Sequence, residues 1–321
     1  MKPSQNDHLP VVLYSIPASF QKVARNASNK THYRIDFVDL IRDALALDLK
    51  DFCRVVYDKK CEHDLRLEHH VRKETPATID YKHNYLSPFF YFGAGGYSGW
   101  ARRIVNADLT QTDNRSINET ERIYQERIKS LHGESRFKQP NPVEDKIPNR
   151  FLLVATQVEN DTVMNLKFVE TREMIDRAFA VAKQIGLPLV IKNHPLEKRN
   201  FSVIRYSKSM ADRHESVFRS EGDISELISR SYGVFVINSG VGFEALCHLK
   251  PVFTFGKSDY HQATFENFSP RQIVNVLESQ LINRDFLLKN FLANYLDQIV
   301  DVRYPDESRQ KIVNKVKSKI T

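Results

Sequence analysis

YGVFVINSGVGFEALCHLKPVFTFG, residues 232–256, is the stretch from which the fold can be read. Val234-Phe235-Val236-Ile237 is an apolar run of strand length, broken by Asn238-Ser239 and then by Gly240 and Gly242. Phe243-Glu244-Ala245-Leu246-Cys247 predicts a helix, Lys250-Pro251 ends it, and Val252–Phe255 predicts a second buried strand. Strand, glycine turn, helix and strand make a βαβ unit whose turn exposes backbone N–H groups at a helix N-terminus. Ser239 stands where an N-cap or an anion ligand would stand. Glu244 follows about one helical turn later. Two readings are open. The N–H groups hold a phosphate while Glu244 accepts hydrogen bonds from sugar hydroxyls, or the turn is an ordinary one with a capping serine and a surface glutamate.

Around this unit the pattern is regular. Phe151–Thr156 predicts a strand, Phe168–Ile185 an amphipathic helix, Leu187–Lys192 a strand and Asp223–Ser229 a short helix, with further helices near 270–281, 285–299 and 305–320. Alternation of β and α predicts a parallel, doubly wound sheet, whose ligands bind outside the carboxyl ends of the strands. Each of four strands there runs into polar residues: Gln157 to Thr162, Lys192 to Pro195, Ser239 with Glu244, and Lys257, Asp259, Tyr260 and His261. A parallel sheet brings all four groups to one edge. Singly, each has a plainer use, since Asp161-Thr162 can cap a helix and His194 can be a packed loop histidine. Lys-x-His-Pro leaving a buried strand is more cationic and stiffer than capping requires. It suits a phosphate leaving group whose developing charge Lys192 and His194 would stabilise.

The first half is less regular. Residues 10–16 predict a strand, Phe37, Leu40, Ile41, Ala44 and Leu45 recur at helical spacing, and 52–57 predicts another strand. The charged stretch 59–74, with His63, His69 and His70, reads as a solvated helix rather than a metal site. Phe89–Phe92 empties into Gly93-Ala94-Gly95-Gly96 and Tyr97-Ser98-Gly99-Trp100, either a loop close to a ligand or a glycine turn packing the only tryptophan. Residues 117–131 predict a charged helix. Residues 133–150, rich in proline and charge, contain the linker.

A chain of 321 residues, 41% hydrophobic and 27% charged, has room for two domains. No apolar run approaches the ~20 residues of a membrane span, and the N-terminal segment does not read as a signal peptide. Cys53, Cys61 and Cys247 suggest reduced thiols in a cytoplasmic protein. A net charge of +7 and a pI near 9.1 call for an anionic partner. No nucleic-acid recognition module accompanies that charge.

QVENDT at 157–162, KNHP at 192–195 and NSGVGFEALCHLKPVFTFG at 238–256 resemble the capsule polysaccharide biosynthesis family of bacterial β-Kdo glycosyltransferases. The resemblance covers most of 151–261, with a weaker fit at 95–100. It implies a GT-B-like α/β fold, two Rossmann-like doubly wound domains facing a cleft. These would be an acceptor-side domain at 1–135, a linker at 136–150, a donor domain at 151–285 and terminal helices at 286–321. It implies retaining transfer from CMP-β-Kdo to a glycan or glycolipid, with no metal and no other cofactor. Asp161 would be the nucleophile and His194 a second catalytic residue, touching the CMP phosphate with Lys192. Gln157, Asn238, Ser239 and Gly240 would complete the donor site, with Glu244 on the ribose and Gly96, Tyr97 and Ser98 on the acceptor side. Family members often carry an acid just before the glycine-aromatic pair, where this chain has Ala94 or Gly95. That leaves the acceptor base unassigned, with Glu159 one candidate. The rivals are a CDP-alcohol or other nucleotide-sugar transferase of the teichoic-acid type, and a non-catalytic nucleotide-binding subunit.

Residues 309–321, RQKIVNKVKSKIT, carry only basic charges, with Ile312, Val313, Val316 and Ile320 at helical spacing. Such a helix either packs its apolar face on the N-terminal domain or lies on an anionic membrane surface.

Overall fold

The computed structural model describes residues 9–18, 20, 33–57, 59–132, 141–197, 201–279 and 284–321. In chain order its strands are β1 (Val11–Tyr14), β2 (Arg54–Val56), β3 (Leu65–His69), β4 (Thr78–His83), β5 (Phe89–Phe92), β6 (Phe151–Ala155), β7 (Leu189–Lys192), β8 (Val217–Arg219), β9 (Ser231–Val236), β10 (Val252–Thr254), β11 (Phe265–Glu266) and β12 (Val300–Asp301). The chain divides into two compact units. One comprises the residues up to Asn106 together with Tyr295–Thr321, and the other Ala107–Asn294.

The first unit holds one sheet in the order β12-β5-β4-β3-β1-β2. Its β2, β1, β3 and β4 run parallel, and β5 and β12 are antiparallel at one edge. The charged stretch expected to be a solvated helix contains β3. Leu65 and Leu67 alternate into the core while Arg66 between them stays half-buried, and a period of two is a strand's signature. Helix Tyr33–Asp43 packs Phe37, Leu40 and Ile41 onto this sheet, Phe37 stacking on Phe90 with ring centroids 4.1 Å apart.

Helix Pro305–Ile320 belongs to the same core. Ile312, Val313 and Val316 are buried in it and Ile320 packs against it. Its apolar face is therefore occupied by protein, the first of the two alternatives. No helix among the described residues is long and apolar enough to cross a membrane. Burying each of these three aliphatic side chains contributes about 1.5–3 kcal/mol, and a domain's whole stability is about 5–15 kcal/mol. Deleting residues 309–321 is expected to unfold the first unit. Far-UV circular dichroism with a melt checks this, and a wild-type melting profile in the deletion would refute it.

The second unit carries an all-parallel sheet, β11-β10-β9-β6-β7-β8. Ranked by sequence from β6, the spatial order is 3-2-1-4-5-6, the dinucleotide-fold order, with its switch point between β6 and β9. Both central strands are apolar because helices cover both faces. Helix Thr171–Ile185 buries Met174, Ile175, Ala178, Val181 and Ala182 and ends at Gly186, whose left-handed φ of +68° suits a helix terminus.

The unit boundary falls at 106/107 rather than near 135. Tyr124 Oη and His132 Nε2 both donate to the Cys247 carbonyl, at 2.9 and 2.8 Å, and Asn294 Nδ2 donates to the carbonyls of Leu109 and Gln111. Of the expected linker, 136–140 lies outside the described residues. Residues 141–150 belong to the second unit, with Glu144 accepting from Ser220 Oγ and the Glu221 N–H at 2.5 and 2.9 Å.

Candidate active site

The carboxyl edge of the second sheet is closed at its switch point by two amides. Gln157 Nε2 donates to Asn238 Oδ1 at 2.9 Å, and Asn238 Nδ2 donates to the carbonyls of Val163 and Lys257 at 2.9 and 3.3 Å. Both residues are buried. The loops after β6, β9 and β10 are thereby held together by groups that water would otherwise have to satisfy. Gln157 and Asn238 position this edge.

Ser239 is the N-cap of helix Gly240–Cys247, its Oγ accepting from the Val241 N–H at 3.3 Å. Its carbonyl accepts from Tyr260 Oη at 2.5 Å. Tyr260 lies fully buried beneath the helix start, where a Cβ on Gly242 would fall 2.6 Å from its Oη. Gly242 is therefore needed for close approach. Gly242→Ala should cost about 1–3 kcal/mol through overpacking, read as a lower melting temperature. An unchanged melt would mean that Tyr260 swings aside. Gly240 and Ser239 remain half-buried at the helix mouth, and Glu244 is buried one turn along.

Lys192, at the end of β7, is buried and donates to the Gly222 carbonyl at 2.6 Å. Burial lowers its pKa, opposed by the charges of Glu144, Asp223 and Glu221. His194 receives the Leu196 N–H on Nδ1 at 3.1 Å, so a neutral ring carries its proton on Nε2. Its own N–H donates to Thr156 Oγ1 at 3.2 Å. Burial lowers the His194 pKa, Asp161 and then Glu197 raise it, and Lys192 adds to the lowering. The Asp161 carboxylate after β6 thus favours the charged form of His194 after β7.

Asp161 itself is exposed and caps the turn Thr162–Leu166, its Oδ1 accepting from the Val163 N–H at 3.3 Å. Glu159 is held differently. Its Oε1 accepts from Thr171 Oγ1 at 2.5 Å at the start of the following helix, and its N–H donates to Glu197 Oε2 at 2.7 Å. Beside these groups opens a pocket of about 500 Å³, lined in part by Lys192, His194, Glu197, Arg219 and Ser220.

Gly96, Tyr97 and Ser98 belong to the first unit and are buried, Tyr97 and Ser98 at 3% and 4% exposure. Tyr97 packs on His70 and Trp100 with Lys82 over its ring, and Ser98 Oγ accepts from Tyr85 Oη at 3.1 Å. A Cβ on Gly96, at φ +126°, would strike the Trp100 carbonyl at 2.5 Å, so this glycine serves the turn itself. His63 is engaged by the Cys61 carbonyl and by Arg66. Among the described residues no three His, Cys, Asp or Glu side chains are grouped to hold a metal ion.

Sequence reasoning missed Thr156, Glu197 and the loop after β8. A three-residue strand gives too little period to see, and Thr156 reads as the last residue of the strand before it.

The family model described as capsule polysaccharide biosynthesis protein matches residues 92–265, more than half of the chain. The chain belongs to this family. Its matched span includes the glycine turn, Asp161, Lys192-His194 and the Ser239–Glu244 helix start. Among solved structures, the Thermosulfurimonas dismutans KpsC beta Kdo 2,4 transferase superposes with a TM-score of 0.52 at 16% identity, covering 95% of this chain and 98% of that one. The beta Kdo 2,7 transferase of the same organism's KpsC gives 0.51 at 14% identity, with 96% and 99% covered. Likeness at that identity establishes the GT-B-like fold for this capsule polysaccharide biosynthesis protein. No curated protein sequence matches it. Family and fold together support a glycosyltransferase of capsule polysaccharide biosynthesis.

Proposed function

We propose that the chain is a retaining glycosyltransferase that moves Kdo from CMP-β-Kdo to a glycan or glycolipid acceptor, through a sugar ester on Asp161. What supports this reading is that Asp161 and Lys192 both act electrostatically on His194 at the ends of β6 and β7, on the same carboxyl edge of a dinucleotide-order sheet as the Ser239-capped helix start after β9. The helix N-terminus takes the CMP phosphate with His194 Nε2, Glu244 takes the ribose, and the pocket beside Lys192 gives the nucleoside its place. Lys192 adds positive charge where the leaving phosphate gains negative charge.

The Asp161 carboxylate forms a bond to the anomeric carbon as the bond to the CMP phosphate breaks. The acceptor oxygen then displaces the Asp161 carboxylate from that carbon, its proton passing to solvent water. Two inversions give net retention, and one hard displacement becomes two easier ones. A nucleotide-linked donor places this chemistry in the cytoplasm, and a glycolipid acceptor would place it at the membrane's inner face. Both donor and adduct can be tested together. The protein is offered CMP-, UDP-, GDP- and CDP-linked donors, nucleotide release is measured, and intact mass is recorded without acceptor. Release from CMP-Kdo with one sugar added at Asp161 is expected. Release from a CDP-alcohol alone, or release from none, would overturn the assignment.

A further inference from the structure

Beneath the glycine turn of the first unit lies a carboxyl that no step above uses. Asp80, on β4, is 1% exposed. Its Oδ1 accepts from the Gly95 N–H at 2.9 Å and its carbonyl from the Gly93 N–H at 2.7 Å. Its Oδ2 is buried with no hydrogen-bond partner among the described residues. Glu74 reaches the same place, its Oε1 accepting from the Asp80 N–H at 3.4 Å. The other Glu74 oxygen pairs with Lys315 at 3.2 Å and Arg103 at 3.4 Å, with Lys319 at 3.8 Å. Lys315 lies across the turn itself, since a Cβ on Gly93 would fall 2.1 Å from its Cε. The turn, β4 and helix Pro305–Ile320 therefore meet at these two acids.

Two carboxylates so close in a dry site do not both ionise. Three cations surround Glu74, while Asp80 makes no ion pair among the described residues, so the proton settles on Asp80. We propose that Asp80 is a positioning residue that holds the Gly93–Gly96 turn as a neutral acid, sharing a single proton with Glu74. A neutral carboxyl keeps an acceptor for Gly95 and gains a donor for Glu74, which gives the orphaned oxygen its partner. Burial, then the Glu74 charge, push the Asp80 pKa up to about 7, against the N–H groups of Gly95 and Gly96. Losing the proton sets two negative charges side by side and loosens the turn. Because the folded value lies above the unfolded one, this stabilisation is complete below about pH 4 and is lost as pH rises to about 7. Any effect on transfer rests on the acceptor-side role proposed for this turn, whereas the shared proton does not.

Trp100, the only tryptophan, reports on the turn, its backbone N–H donating to the Tyr97 carbonyl at 3.0 Å. Its surroundings also include His70 against Tyr97, Arg72 over the indole and Lys82 over Tyr97. Fluorescence of the full chain, titrated across neutrality, should show a transition near pH 7 that Asp80→Asn removes and His70→Gln keeps. A flat wild-type titration, or a transition kept in Asp80→Asn and lost in His70→Gln, overturns the proposal. Should Asp80→Asn fail to fold, carboxyl-carbon NMR on the wild type decides. An Asp80 signal titrating near 7 supports the shared proton, and one titrating near the ordinary carboxylate value of about 4 overturns it. With an acceptor in hand, Asp80→Asn should flatten the pH dependence of the acceptor KM and leave kcat in place. A Trp100 transition without any such KM effect would keep the shared proton and remove only the acceptor-side role.

Discussion

Asp161→Asn is expected to lose transfer by about 10⁴-fold or more while binding CMP nearly as well as the wild type. The structure sharpens the choice of substitution. Asp161 caps the turn Thr162–Leu166 through its Oδ1, and asparagine can cap as well as aspartate. Asp161→Asn therefore keeps the local fold and removes only the nucleophile. Asp161→Ala loses both, and should melt lower by the ~1 kcal/mol worth of a cap. Equal loss of transfer in the two, with only the alanine variant less stable, separates chemistry from capping. A nucleophile contributes mainly in the transition state, so donor affinity should survive. Appreciable transfer by Asp161→Asn would remove the double displacement, and with it the sugar ester.

His194→Ala and Glu244→Ala, by contrast, should weaken CMP binding and turnover together. Each loses a charge-assisted or ionic hydrogen bond of about 1.5–3 kcal/mol, a factor of roughly ten to a hundred in affinity. His194 has a backbone N–H on Nδ1 and presents Nε2 as its donor, so His194→Gln should recover part of the loss. Calorimetry finding wild-type CMP affinity in both alanine variants would mean that the donor sits elsewhere.

Much of the second unit could be read from its residues because its central strands are unbroken apolar runs, each emptying into polar residues at one sheet edge. Val234–Val236 and Phe151–Ala155 are buried throughout and carry that signal at full strength. β3 could not be read the same way. Only Leu65 and Leu67 mark it, amid twelve charged or histidine neighbours in 59–74 whose polarity suggests a solvated helix. The unit boundary escaped for another reason. It depends on hydrogen bonds such as Tyr124 to Cys247, between residues far apart in sequence, and composition records no such pairing. Gln157 and Asn238 stand just beyond the apolar runs that mark their strands, but the sequence does not show their amides facing each other. Asp80 gave no signal at all, because one aspartate in a strand reads as a surface residue until its burial is known.

The first unit is assembled from two distant parts of the chain, and this has a consequence for how the molecule is made. A ribosome delivers β1 to β5 first, then the whole second unit, and only afterwards Tyr295–Thr321. Until then the β5 edge lacks β12, and Phe37 and Leu40 lack the aliphatic face of helix Pro305–Ile320. The second unit is continuous in sequence and can close as soon as it is synthesised. The nascent first unit must meanwhile wait with an open strand edge and bare apolar surface, the two features that invite aggregation. Demand for chaperones should therefore fall on the part made earliest, and end when the last helix docks.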